Sequence, residues 1–354
     1  MFRILFLLLL LFITAISCGG YWIYKYQLIA PLPLYDDLHY TVPPNATLRQ
    51  VAIDLMDQGL MNYSTALAWF SLARWQKRAH LIKVGEYIIP KDTTPQQLLD
   101  ILIAGKNIQY SLTIPEGWNF RQLIAAIHKH PNIVETLDNI KYQAIMAKLG
   151  WADQHPEGRF YPDTYFFPTG TTDVEFLQRA YKMMQKELKA VWEKRRDDLP
   201  LKTPYEALIL ASIVEKETAV VEERPLIAGV FVRRLEKKMR LQTDPTVIYG
   251  LGDAYNGNIR KSDLKRNNPY NTYLNKGLPP TPIAMPGRAA LYAAVNPAEG
   301  DALFFVAKGN QGHHYFSATY KEHACAVIEY QLKGKSSRYQ SQCKKYPSCA
   351  ACRG

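Results

Sequence analysis

Glu215 and Glu217 stand two residues apart in the stretch Ala211-Ser212-Ile213-Val214-Glu215-Lys216-Glu217-Thr218. Two carboxyls so spaced on one helix are driven into different surroundings. Thr203-Pro204-Tyr205-Glu206 carries the pattern of a capping box with proline in the first turn. A helix is therefore predicted from there to about Val221, ahead of Pro225. With Leu210 at zero and about 100° per residue, Ile213 falls at about −60°, Val214 at about +40° and Val221 at about +20°. Glu217, at about −20°, sits in the middle of that apolar face, whereas Glu215, at about 140°, is expected where water reaches it. Lys216 is also off the apolar face.

An ionised carboxylate on an apolar face is unfavourable unless paired, and burial raises its pKa. A glutamic acid that keeps its proton near neutrality can protonate a leaving-group oxygen and take a proton back. The same geometry is compatible with an ion pair from Glu217 to Arg233, Arg234 or Arg240, and the helix wheel does not separate the two.

The next polar groups lie on irregular backbone. Leu241-Gln242-Thr243-Asp244-Pro245-Thr246 is followed by Asn268-Pro269-Tyr270-Asn271-Thr272-Tyr273 and by the run Gly277-Leu278-Pro279-Pro280-Thr281-Pro282-Ile283-Ala284-Met285-Pro286-Gly287. A run so rich in proline and glycine is stiff and non-helical, suited to walling a groove. Gln242, Thr243, Asp244, Tyr270, Asn271 and Tyr273 are the candidate substrate-binding residues; Asp244-Pro245 reads equally as a turn or helix cap. Leu303 to Ala307 is predicted as a buried strand, with a turn at Lys308-Gly309-Asn310. His313 and His314, adjacent on the strand after it, are expected to face opposite ways and so not to form a metal pair; no third ligand is in view.

The elements that position these residues begin with an apolar run from Ile4 to Tyr24, about 21 residues, enough for one transmembrane helix. Ala15-Ile16-Ser17-Cys18-Gly19 resembles a poor lipoprotein cleavage site. Tyr21, Trp22, Ile23 and Tyr24 instead continue the run as an interfacial aromatic belt, which favours an uncleaved anchor. Residues 1–25 are thus the anchor and 26–38, with Pro31 and Pro33, a linker. Residues 39–108 read as a small β-α-α-β unit, with a Thr94-Pro95-Gln96-Gln97 helix start and a helix end near Gly105. Residues 109–333 form a larger α+β body. In it, a long helix from about Val174 to Arg195 carries no chemistry, and the aromatic-rich loop from Glu157 to Phe166 does not read as helix. The fold class is α+β.

Hydrophobic residues make up 47% and charged residues 21%, a globular composition and not a disordered one. The net charge of +11 suits an anionic surface or polymer, but no nucleic-acid-binding motif accompanies it. Of five cysteines, Cys18 lies in the anchor, and Cys325, Cys343, Cys349 and Cys352 lie near the end. None lies between the anchor and Cys325, so the core is not expected to be disulfide-stapled. Cys349-Ala-Ala-Cys352, without a second pair or nearby His, favours disulfide bonding over a metal half-site in the basic tail, residues 334–354.

Taken in order, residues 211–218 and 240–250, Tyr270 to Tyr273, Gly277 to Pro280, and upstream Pro115-Glu116-Gly117 and Tyr161-Pro162-Asp163-Thr164 closely resemble the endolytic murein transglycosylase (YceG-like) family over about residues 40–330. The tail after Lys333 lies outside that pattern. The resemblance implies an inner-membrane anchor, a LysM-like subdomain and a periplasmic catalytic domain. It also implies cleavage of the β-1,4 bond between N-acetylmuramic acid and N-acetylglucosamine in nascent glycan strands, leaving a 1,6-anhydro end. Glu217 matches the family's catalytic glutamate. Association with cell-wall synthases is implied as well, and no metal or organic cofactor is called for. A hydrolytic muramidase would need a second carboxyl, for which Asp163 and Asp244 are the candidates; a non-catalytic wall-binding scaffold would need neither.

Overall fold

The computed structural model describes residues 2–137, 142–309, 312–332 and 336–352. The expected turn at Asn310 and the boundary between body and tail at 333/334 lie outside them. The chain is mixed α+β and divides into two compact units: Met1–Ser111 with Pro131–Val134 and Phe166–Thr172, and the remainder.

The first unit opens with α1 (Phe2–Ile23), the one described helix long and apolar enough to cross a bilayer, and it is exposed from Phe6 to Ile23. The helix continues as a π-turn, Tyr24–Leu28. After it come β1 (Leu38–Val42), α2 (Leu48–Asp57), α3 (Tyr63–Trp75), β2 (Gly85–Ile89) and α4 (Pro95–Ala104). β1 and β2 pair antiparallel with Tyr40 opposite Tyr87. Local sequence sets the helix starts. Thr47 with Gln50, and Thr94 with Gln97, close reciprocal capping boxes, and Gly105 ends α4 at φ 67°. The core gathers Leu55, Trp69, Tyr87, Ile89, Leu98, Leu99 and Leu102. The stretch expected as a linker joins this core. Leu28 and Leu32 are buried in it, and the Leu32 amide donates to the Thr93 carbonyl at 2.9 Å. Two leucines spaced through a proline-rich stretch have no period that reveals burial in the sequence.

β3 (Tyr110–Thr113) and β4 (Thr164–Phe167) pair as a second two-stranded sheet. In the larger unit, α5 (Phe120–Lys129), α6 (Tyr142–Leu149) and α7 (Asp173–Trp192) precede α8 (Pro204–Glu217). Then come α9 (Arg224–Glu236), α10 (Asp244–Leu251) and α11 (Arg288–Val295). The hairpin β5 (Phe304–Ala307) and β6 (His314–Ser317), α12 (Tyr320–Val327) and α13 (Ser336–Lys345) complete it.

α8 is the central helix of this unit. Every residue from Ala207 to Val214 is buried, so the helix is enclosed all round and not amphipathic. Its core partners include Met184, Leu188, Ile227, Phe231, Leu291 and Ala294. The sequence predicts one buried face and a helix reaching Val221; instead α8 ends at Glu217, where Thr218 turns extended and caps it. A short 3-10 turn, Val221–Glu223, then leads into α9 with Pro225 in its first turn. At its start, Thr203 accepts from the Glu206 amide, but Glu206 returns its carboxylate to the Lys202 amide, one residue earlier than a capping box requires.

In β5, expected as a buried strand, only Val306 is buried; Phe304 and Phe305 are half-buried where they line a cavity, and Ala307 is exposed. The four distal cysteines form two disulfides, Cys325–Cys349 and Cys343–Cys352, so the two cysteines of the CxxC pair go to different partners. Together with Ile328 and Leu332 they make a small core at the end of the chain.

Candidate active site

Because α8 is buried from Ala207 to Val214, its last residue carries a carboxyl from the interior to the lining of a cavity. Glu217 is half-buried there, and its carboxylate accepts a hydrogen bond from the Thr243 hydroxyl. The cavity, about 330 Å³, is lined by the polar groups of Glu217, Arg234, Gln242, Asp244 and Tyr273 and by the rings of Phe304, Phe305, Tyr320 and His323. A cavity of that size, with polar groups gathered beside aromatic rings, can hold a polar small molecule or a sugar ring.

The Glu217 pKa is pushed up to about 7. Loss of hydration is the main cause; the Thr243 hydrogen bond opposes it, the Asp244 charge adds to it and Arg234 opposes it. The position at the C-terminal end of α8, where helix carbonyls point outward, also disfavours a negative charge. Of the arginines expected as ion-pair partners, Arg234 is nearest in effect, yet its guanidinium is committed to backbone. It donates to the carbonyls of Leu303 at 2.7 Å, Leu241 at 2.7 Å and Arg240 at 3.3 Å. Arg233 likewise bonds the carbonyls of Ala302 and Ala298.

Thr243 is fixed by a buried hydroxyl network. Its amide donates to Thr272 Oγ1 at 3.1 Å, and the Thr246 and Thr272 hydroxyls lie 2.8 Å apart. Gln242 adopts φ 51°, a left-handed conformation rare for a side-chain-bearing residue. That twist lets buried Leu241 and Thr243 flank an exposed Gln242 that faces the cavity. Asp244 opens α10, with Pro245 behind it, and accepts from the Tyr273 hydroxyl at 2.6 Å.

Four of the sequence-derived substrate residues thus gather at Glu217: Gln242, Asp244 and Tyr273 in the cavity wall and Thr243 on the carboxyl itself. Tyr270 and Asn271 are not in that wall. Tyr270 packs on Tyr249 and bonds Thr281 at 2.8 Å. Asn271 is buried, its amide donating to the carbonyls of Leu264 and Arg266, its oxygen accepting from the Tyr273 amide. They shape the loop that presents Tyr273. Asp163 is exposed and caps its own loop through the Thr164 amide at 2.7 Å.

Glu215 is not where the wheel puts it. It is buried, paired with Arg224 at 2.7 Å, and accepts from the Gly287 amide at 2.9 Å. Arg224 also reaches Glu116 at 3.3 Å. Ser212 accepts from the Ile283 amide at 3.0 Å, and Gly117 and Trp118 exchange backbone bonds with Met285. So Glu215, Ser212 and Pro115-Glu116-Gly117 clamp the proline-rich run onto α8. The wheel fails because α8 has no water-facing side there.

His313 and His314 also depart from expectation. β6 begins at His314, so strand alternation does not apply to the pair. Both reach the Glu223 carboxylate through Nδ1, at 3.2 and 2.7 Å. Among the described residues no group of three or more His, Cys, Asp or Glu is disposed to hold a metal ion.

The sequence reading missed the aromatic wall. Phe304 lies between His323, stacked at 5.2 Å, and the Arg234 guanidinium at 5.1 Å; Tyr320 meets it edge-on at 5.9 Å. The only local signal was the Phe304-Phe305 pair. Also missed was Glu157, buried and raised to about 7 by loss of hydration. It accepts from the Phe120 amide at 3.0 Å and the Tyr249 hydroxyl at 3.0 Å, joining α5 to α10.

The YceG-like family model matches residues 40–329, and the chain belongs to that family. It is 29% identical over 333 residues to the endolytic murein transglycosylase of Bacillus subtilis (strain 168), covering 88% of this chain and 90% of that protein. The endolytic murein transglycosylase of Streptococcus pneumoniae (strain D39) is 27% identical over 365 residues, covering 91% of this chain. The chain spans 64% of that relative's length. A crystal structure of a yceG-like protein from Listeria monocytogenes is 28% identical, with a TM-score of 0.48, covering 81% of this chain and 98% of that one.

Proposed function

We propose that this protein is an endolytic lytic transglycosylase that cuts peptidoglycan glycan strands between N-acetylmuramic acid and N-acetylglucosamine, with Glu217 as acid and base. The observation that carries the reading is a carboxyl held near neutral pKa at the mouth of an aromatic-walled cavity. The names of the relatives agree with it. In the reaction, the Glu217 acid protonates the glycosidic oxygen as the bond to the anomeric carbon breaks. The same sugar's 6-hydroxyl oxygen bonds to that carbon, and its proton returns to the Glu217 carboxylate. No water is consumed, so one carboxyl suffices. Thr243 orients the carboxyl, and Gln242, Asp244 and Tyr273 offer hydrogen bonds to sugar hydroxyl and amide groups. Tyr320, 61% exposed, offers a face on which a pyranose ring stacks, and Phe304, packed against His323 and Arg234, backs it.

The same reading makes α1 an inner-membrane anchor with both folded units in the periplasm, where the two disulfides would persist. It makes the β-α-α-β unit a LysM-like glycan-binding module, and it leaves cell-wall synthases as the partners through which cutting ends strand growth. Asp244 beside Glu217 favours one rival, a hydrolytic muramidase, since it places a second carboxyl at the cavity. Digestion of purified sacculi by wild type and Glu217→Gln, with product masses read, separates the readings. A transglycosylase leaves anhydro ends lighter by one water than the reducing ends of a hydrolase. Products unchanged by Glu217→Gln would overturn the assignment of Glu217.

A further inference from the structure

The anchor helix does not give way to a flexible tether. From Ile23 it runs into the π-turn Tyr24–Leu28, whose last residue is 5% exposed within the core of the small unit. One residue earlier, Gln27 Oε1 accepts from the Thr65 hydroxyl at 2.6 Å and the Ser64 hydroxyl at 3.3 Å. The first turn of α3 is thereby tied to the end of the anchor.

That tie sets a height above the membrane. Gln27 lies four residues beyond Ile23, about 6 Å at about 1.5 Å per residue. The polar layer on each side of a bilayer is roughly 5–8 Å thick, half the difference between about 40–45 Å overall and about 30 Å of hydrocarbon. With the hydrocarbon boundary at Ile23, the start of α3 falls inside the headgroup layer. The residue there, beside Ser64, is Tyr63, 73% exposed and outside the core. Around the same level Tyr24, Tyr26 and Ile29 are also exposed. Tyrosines collect at this depth because the ring prefers the apolar side and the hydroxyl the wet side. Exposure of a large ring, otherwise unfavourable, is explained by that neighbour.

We infer that the first turn of α3 lies in the headgroup layer, with Tyr63 as a second interfacial contact, so that the small unit stands directly on the bilayer. The partner is the phospholipid surface itself, continuous with the surface that the anchor crosses. The inference rests on α1 being a membrane anchor.

The test uses the full chain in proteoliposomes, with Cys18→Ser removing the one free thiol. A single cysteine is introduced as Tyr63→Cys or, as reference, Tyr24→Cys, and labelled with an environment-sensitive fluorophore without reductant. Lipids spin-labelled at the headgroup are then added to the bilayer. Quenching at position 63 of at least half that at position 24 is the expected result. Quenching at 24 with none at 63 overturns the inference while leaving the anchor intact. Absence of quenching at both positions, or release of the protein by alkaline wash, overturns the anchor reading instead.

Discussion

Replacing Glu217 by glutamine should make the protein more stable at neutral pH while abolishing its chemistry. The carboxyl pKa is about 7 in the fold against 4.5 in the unfolded chain. Below both values the group is protonated in either state and has no effect. As pH rises past the lower value, the unfolded chain gives up its proton and the fold does not, so the unfolded state is favoured. The penalty grows to about 3 kcal/mol at about pH 7.5 and is only about 1 kcal/mol at about pH 5. Glutamine removes that penalty and keeps an acceptor for Thr243, but its amide hydrogens gain no certain partner, worth about 1 kcal/mol against it. The net gain is about 2 kcal/mol at the higher pH and near zero at the lower. For a unit of this size that is a melting increase of roughly 4–8 °C at about pH 7.5, and little at about pH 5. Glu157, also raised to about 7, gives wild type and variant the same pH trend and cancels from the difference. Calorimetry of both proteins at the two pH values is the assay. A melting difference that does not change with pH would mean that Glu217 titrates as an ordinary carboxylate, and it could not then hold a proton for catalysis near neutrality.

Four further outcomes are expected. The pH profile of kcat/KM should have an alkaline limb near 7, falling about tenfold per unit above about pH 8 as Glu217 ionises. Thr243→Val, which removes a hydrogen bond favouring the ionised form, should move that limb to higher pH. Tyr320→Ala should raise KM for glycan strands by roughly 2- to 10-fold with kcat retained, as expected for lost ring stacking; equal loss in kcat would place it in the chemistry instead. Cys325→Ser with Cys349→Ser, opening a loop of 24 residues, should destabilise the end of the chain by about 3 kcal/mol. Limited proteolysis should then cut near α13 in the variant and not in wild type.

Several features could be read directly because their causes are local. Thr94 caps a helix whose next three residues already contain its partner Gln97. The apolar run that becomes α1 needs only its length and composition to announce itself. Glu217 was legible because it falls on the face of the helix that Leu210, Ile213 and Val214 occupy, and those residues are buried. Gln242, Thr243 and Asp244 were legible as a polar, proline-punctuated break next to it.

Tertiary structure alone decided the roles that depend on distant chain. Whether Glu215 met water or Arg224 turned on α9 and the proline-rich run covering that side of α8, a fact no local period encodes. The aromatic wall of the cavity comes from β5 and α12, about 90 to 100 residues after Glu217, and hydrophobic rings carry no mark that distinguishes a groove from a core. Leu28 and Leu32 looked like linker residues until their partners in α3 and α4 were in place. Capping, turn and span signals are written within a few residues because the hydrogen bonds and lengths that cause them are that short. Desolvation and ion pairing depend on which surfaces meet, and only the folded chain fixes that.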